Sequence, residues 1–183
     1  MDGDEKTADL VGDLVAACQQ GEREAQRQLY EVCHERIYRL MVRMVGIQDA
    51  ADLTQQTFLQ AFRCLGQYAG RSRFETWLYR LAVNESLQHL RRRRRWEGQA
   101  LEHEPVDRSH DRRQNVEHRE LLETSLERID PELRSIFLLR EVDELSYREI
   151  AEALEIPEGT VGSRLNRARR ELQGHLKDLG WEM

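Results

Sequence analysis

The sequence predicts an all-α protein, built as two small helical domains joined by a flexible linker, and three observations carry that expectation. Long windows of the 183-residue chain repeat their apolar residues at helical period, and no convincing alternating strand is visible. Only three prolines and eleven glycines interrupt those windows. Between about Trp96 and Asn115 the periodicity disappears, charges are mixed, and Pro105 sits mid-segment, which is linker behaviour. The domains so defined are 1–95 and 116–183, with residues 96–115 between them.

Four helices are expected before the linker. From about Ala8 to Gln19, Leu10, Val11, Leu14, Val15 and Cys18 form a short apolar stripe that ends at Gly21. Glu22 to Val45 is longer, its apolar side running from Ala25 through Leu29, Tyr30, Val32, Cys33, Ile37, Leu40 and Met41 to Met44, with Gly46 as the stop. A third helix runs from about Asp49 to Leu65. It turns Leu53, Phe58, Ala61 and Phe62 inward and Asp52, Gln55 and Gln56 outward. The loop Gln67–Arg73 carries Tyr68, Arg71 and Arg73 around a glycine, and a long helix follows from Phe74 to Arg95.

On that fourth helix, Phe74, Leu78 and Ala82 suit the core. Trp77, Leu81, Asn84, Gln88 and Arg95 project within about 60° of one another on another side. Two roles fit this stripe. Trp77 and Leu81 can be further core, or the aromatic can stack on bases while the amides and arginines bond their edges. Arg91–Arg95 likewise fits either compensation of the helix dipole or phosphate binding.

After the linker, Leu121, Leu122, Leu126 and Ile129 restore the helical period. Asp130-Pro131-Glu132 then reads as an N-cap, an N1 proline and an acidic first turn. Leu133, Ile136, Phe137 and Leu138 bury the helix that follows. Ser146-Tyr147-Arg148-Glu149 is a capping box opening a helix through Leu154, with Ile150, Ala151 and Leu154 as its apolar face. Glu155–Gly159 breaks it. The last helix places Val161, Leu165, Ala168, Leu172 and Leu176 at spacings of 4, 3, 4 and 4, one narrow buried seam. Opposite lie Ser163, Asn166, Arg167 and Arg170, flanked by Arg164 and Arg169. Short polar and guanidinium groups suit phosphates and the acceptor edge of guanine. Two short helices around a tight turn, the second basic outside, read as a DNA-binding helix-turn-helix.

The formal net charge of −6 excludes a protein that coats DNA by general basicity. Cations are concentrated instead at Arg91–Arg95 and Arg164–Arg170, so weak DNA affinity in isolation is expected. Cys18, Cys33 and Cys64 are isolated, without CxxC spacing, and suit reduced buried thiols. His103, Asp107 and His110 show no ligand spacing, so no metal site and no cofactor are expected. The acidic start MDGDEKTADL is no signal peptide, and no apolar run approaches membrane-spanning length, so a cytoplasmic protein without stable membrane insertion is expected. P-loop, HExxH, GxSxG and dinucleotide fingerprints do not occur, which argues against an enzyme.

Three stretches together resemble a known family. DLTQQTF (Asp52–Phe58), FETWLYRLAVN (Phe74–Asn84) before an arginine run, and LSYREIAEALEIPEGTVGSRLNRARREL (Leu145–Leu172) look like the extracytoplasmic-function sigma factors of bacteria. The resemblance spans about Asp9 to Leu176. It implies that the N-terminal domain binds the clamp of core RNA polymerase and opens the promoter −10 element, and that the C-terminal domain reads the −35 element. Asp52, Gln55 and Gln56 match the clamp-contacting positions, and Trp77, Leu81, Asn84 and Gln88 the strand-opening face. The loop Tyr68–Phe74, with Arg71 and Arg73, matches the pocket for a flipped base. Ser163, Arg164, Asn166, Arg167 and Arg170 match the −35 reader, and Arg91 and Arg95 would hold phosphates. The linker would thread toward the polymerase cleft and RNA exit path, beside the flap. An anti-sigma factor is the partner expected to restrain such a protein.

Two positions depart from the family pattern. Gln56 replaces a usual acid, and Gly162 a usual base in the recognition helix, the latter at a propensity cost of about 1 kcal/mol against alanine. A competing reading is a stand-alone helix-turn-helix regulator that dimerises on palindromic DNA. It leaves the Trp77–Arg95 stripe and the Asp52–Gln56 cluster without a task.

Overall fold

The computed structural model describes residues 2–97 and 115–181, with side chains for 10–96 and 121–181. Every regular element among them is helical. The N-terminal bundle consists of α1 (Asp2–Gln19), α2 (Arg23–Val45), α3 (Ile47–Cys64) and α4 (Phe74–Glu97), with a 3-10 turn at Leu65–Gln67. The C-terminal bundle holds α5 (Asn115–Arg128), α6 (Pro131–Glu141), α7 (Tyr147–Leu154) and α8 (Glu158–Asp178). Most of the linker, including His103, Asp107 and His110, lies outside the described residues.

The boundaries follow local chemistry. Gly46 adopts φ 90°, which lets α3 begin one residue after α2 ends, earlier than Asp49. No breaker intervenes between Arg95 and Gly98, so α4 continues past the arginine run through Trp96. The first linker residue in the sequence-based division is therefore helical. Asp130 caps α6 by accepting from the Glu132 amide, with Pro131 at the first helical position. Ser146 and Glu149 form both halves of a capping box on α7.

The apolar stripes meet in one continuous cluster. Leu29, Ile37, Leu40, Met41 and Met44 of α2 form its N-terminal centre, and Ile136, Leu139, Ile150, Val161 and Leu165 its C-terminal one. Of the residues in the expected apolar patterns, Leu10, Tyr30, Val32 and Leu122 are exposed, although the Tyr30 ring still packs edge-on against Phe58 at 4.7 Å. Cys18 and Cys33 are buried, but Cys64 is half-buried near the end of α3. Burial pushes the Cys33 thiol up to about 12, so it remains a protonated, inert apolar group near neutral pH.

The two bundles pack on each other. α4 lies between α2 and α3 on one side and α7 on the other, which explains why so much of its circumference is buried. Phe74, Leu78 and Ala82 are core as expected, and Thr76, Trp77, Tyr79 and Val83 join them. Across the junction the Tyr79 hydroxyl donates to Asp143 at 2.8 Å, and Arg80 pairs with Glu155 at 3.1 Å. Arg134 is the deepest contact. Its guanidinium donates to the Met44 carbonyl at 2.8 Å and to the carbonyls of Glu127 and Ile129. Burial lowers its pKa to about 10, so it is still a cation at neutral pH.

Candidate nucleic-acid interface

The C-terminal surface follows directly from one seam. Val161, Leu165, Ala168 and Leu172 are buried, with Leu176 half-buried, so Ser163, Asn166, Arg167 and Arg170 necessarily point outward and are exposed. Arg164 is half-buried. The turn before α8 depends on Glu155, which takes φ 54° at the α7 C-cap, an uncommon left-handed conformation for a non-glycine residue. Tyr147 leans on Gly162: a Cβ there would sit 3.5 Å from its ring, while the Arg140 guanidinium lies 5.7 Å from the ring centroid.

The arginines of this face are held in place by carboxylates. Arg167 bonds Glu171 at 2.9 Å, Arg169 pairs with Glu141, and Arg164 stands 4.0 Å from Glu132. Arg170 has no ion-pair partner among the described residues. These surface pairs are worth ~1 kcal/mol or less, so phosphates can displace them at little cost.

The second surface lies on α4 and its preceding loop, and it is only partly exposed. Tyr68, Phe74 and Trp77 make a three-ring cluster with centroids 5.4 to 5.7 Å apart. Phe74 is buried, Tyr68 half-buried, and Trp77 only 8% exposed. The loop is pinned from α1, where the Gln19 amide donates to the Leu65 and Tyr68 carbonyls at 3.0 and 3.1 Å. The Tyr68 hydroxyl closes the loop on the Ser72 carbonyl at 2.6 Å. Arg71 and Arg73 are exposed around it. Farther along α4, Leu81 is half-buried, and Asn84, Gln88, Arg91 and Arg95 are exposed. Arg91 reaches Glu132 of α6 at 3.5 Å, the same carboxylate that Arg164 approaches. The helical projection is thus satisfied, but the stripe starts inside the core and reaches solvent only from Leu81 onward.

A third group sits on α3. Asp52, Gln55 and Gln56 are all exposed, over buried Leu53, Thr54 and Thr57. A shallow groove runs beside them between α3 and α4, lined by Asp49, Glu85, His89 and Arg92. His89 and Asp49 bridge it at 3.0 Å. Among the described residues no group of three or more His, Cys, Asp or Glu side chains converges as a metal site would.

The junction between the bundles was not foreseen. It holds a cavity of about 400 Å³ bordered by Arg36, Arg39, Arg73, Asp143 and Glu149. Burial is the main reason the Asp143 carboxyl lies above its usual range, partly offset by the Tyr79 hydroxyl and nearby arginines. A tyrosine on an apolar helix face and an aspartate in a turn carry no spacing signal that links them across 64 positions.

Two helical modules with such surfaces define a class. Residues 29–96 match the Sigma-70 region 2 family and residues 119–172 the Sigma-70, region 4 family, both parts of DNA-binding transcription-initiation factors rather than of catalysts. An ECF RNA polymerase sigma-E factor of Haemophilus influenzae is 33% identical over 179 residues, covering 91% of this chain and 95% of that one. The chain belongs to the ECF RNA polymerase sigma factors, and it is an alternative sigma factor for transcription initiation. The fold agrees. CnrH, solved with the cytosolic domain of CnrY, superposes with a TM-score of 0.70 at 24% identity over 95% of this chain and 99% of that one. The sigma factor RpoE of Bartonella quintana, solved with the anti-sigma factor NepR, gives 0.67 at 21% identity over 82% and 96%. No helix among the described residues is long and apolar enough to cross a membrane.

Proposed function

We propose a division of labour in which 116–183 reads the −35 duplex through α8 while 1–95 binds the polymerase clamp through α3 and opens the −10 element through α4 and the Tyr68–Phe74 loop. The supporting observation is that the exposed cations and amides fall on two separate faces, one on each bundle. Ser163, Asn166, Arg167 and Arg170 form a convex cationic ridge that fits a major groove. Asn84 and Gln88 offer donors and acceptors to base edges, and the Tyr68 loop offers arginines around a half-buried ring. Extruding a base costs a few kcal/mol, and stacking returns ~1–3 kcal/mol per base. Asp52, Gln55 and Gln56 form the polymerase-facing patch.

The protein acts in the cytoplasm with core RNA polymerase, contacting its clamp and flap, and an anti-sigma factor restrains it. That last partner is suggested by the Bartonella quintana relative in fold, which was solved with one. Promoter opening is tested by reconstituted transcription with bacterial core polymerase on a pool of promoter fragments. Transcripts that need this chain are expected. Absence of polymerase binding, together with tight binding to palindromic DNA, would replace the reading with a stand-alone regulator.

A further inference from the structure

The end of α4 carries an aromatic that the packing does not use. Trp96 is 75% exposed, whereas Trp77 is buried and Trp181 half-buried. It follows five arginines, Arg91–Arg95, all exposed, and the helix that carries them continues to Glu97, so the indole projects from ordered backbone. Side chains four apart share a helix face. Asn84, Gln88, Arg92 and Trp96 therefore form one exposed i, i+4 ridge that winds by about 120° around the helix from Asn84 to Trp96, with Arg92 bonded to Gln88 at 3.4 Å. Arg95, bonded to the Arg91 carbonyl, lies beside it.

We propose that Trp96, with Arg92 and Arg95, is a base-stacking site for an unpaired strand of promoter DNA. This rests on the reading of the outer face of α4 as the strand-opening surface, and continues from Gln88 along the winding ridge to a point about a quarter turn around the helix from that face. The chemistry selects the ligand. An indole face stacks on any base that has left its own stack, and neighbouring guanidinium groups bind the flanking phosphates. Paired DNA would satisfy the arginines but leave the indole in water, so the tryptophan distinguishes single strand from duplex. A lipid surface fits less well. The neighbouring apolar residues Leu87 and Leu90 are half-buried and buried in the bundle, so Trp96 has no apolar stripe around it to enter a bilayer. A protein groove fits less well for the same reason, one apolar side chain among five cations.

The test uses holoenzyme assembled from core polymerase and the full chain, wild type or carrying Trp96→Ala or Trp96→Phe. Each is titrated with a promoter fork whose −10 non-template strand is unpaired, and with the fully paired fragment at a temperature low enough to keep it closed. Trp96→Ala is expected to weaken fork binding about tenfold, Trp96→Phe to retain most of it, and affinity for the paired fragment to stay unchanged. Thermal unfolding of the free chain should be the same for all three, since the indole is exposed. Equal fork affinity for wild type and Trp96→Ala overturns the proposal while wild-type promoter opening stands. Equal losses on fork and paired DNA also overturn it. A wild-type holoenzyme that binds but never opens the promoter removes the reading of α4 and this inference together. Transfer of Trp96 fluorescence to shorter wavelength by anionic lipid vesicles, but not by the fork, assigns the site to a membrane instead.

Discussion

The two helices proposed to face DNA are built on opposite plans. α8 separates its duties cleanly: a narrow seam from Val161 to Leu172 holds it to the bundle, and the opposite side is exposed apart from surface ion pairs. α4 mixes them. The stripe proposed to meet DNA begins at Trp77, inside a cluster with Tyr68 and Phe74, and only later emerges at Asn84 and Gln88. The difference follows from neighbours. α8 lies at the surface of its bundle, whereas α4 is enclosed by α2, α3 and α7. A reader of intact duplex needs only a rigid outward ridge. A surface that must hold displaced bases benefits from an aromatic floor that is already packed.

The largest effect that separates the two plans is expected at Trp77. Trp77→Ala should cost about 3–5 kcal/mol of folding stability, read by denaturant unfolding, because it removes a packed ring from the core. A loss below about 1 kcal/mol would show that the cluster does not support α4. Arg167→Ala should do the reverse. It is exposed and held only by the surface contact with Glu171, so stability should change by less than about 0.5 kcal/mol. Promoter affinity of the holoenzyme should fall by ~1–3 kcal/mol, lost at the −35 element.

Gly162→Ala sharpens the comparison from the stability side. The new methyl meets the Tyr147 ring at ordinary van der Waals distance, so the helix should gain about 1 kcal/mol. A destabilised variant would mean that Tyr147 cannot accommodate even that contact.

The smallest effect concerns the junction. Because the Asp143 carboxyl lies above its usual value in the folded state, the folded chain binds its proton more tightly than the unfolded chain. Its contribution to stability is therefore full below the unfolded value, about 3.9, and is lost as pH rises through the folded value. Asp143→Asn keeps an acceptor for the Tyr79 hydroxyl and should remove that part of the pH slope, giving the variant relatively higher stability near neutrality. A slope unchanged across pH 4 to 7 would locate the titration elsewhere.

How legible these features were depends on whether they are local. The α8 seam, the Ser146–Glu149 capping box and the Asp130-Pro131 start are written in consecutive residues, and each is found where it was expected. The stripe on α4 was projected correctly, but a projection cannot say which neighbours cover which end, so the choice between core and interface at Trp77 stayed open. Tyr30, Val32 and Leu10 were misplaced for the same reason: apolar period identifies a helix more reliably than it identifies which of two flanking apolar columns meets a partner. The junction through Tyr79, Asp143 and Arg134 joins residues 64 and 90 positions apart, and no local pattern announces it. Trp96 was assigned to the linker because apolar periodicity and uniform charge stop there, whereas α4 runs on to Glu97, arginine being a good helix former.

The most direct test is to separate binding from opening on one promoter. Holoenzymes carrying Arg167→Ala, or Asn84→Ala with Gln88→Ala, would be compared at saturating concentration by permanganate reactivity of unpaired thymines at the −10 element, alongside promoter affinity. The division of labour predicts that Arg167→Ala needs more holoenzyme but reaches wild-type reactivity once bound, while the α4 variant binds and stays closed. Normal opening by the α4 variant, or failed opening by fully bound Arg167→Ala, would contradict it.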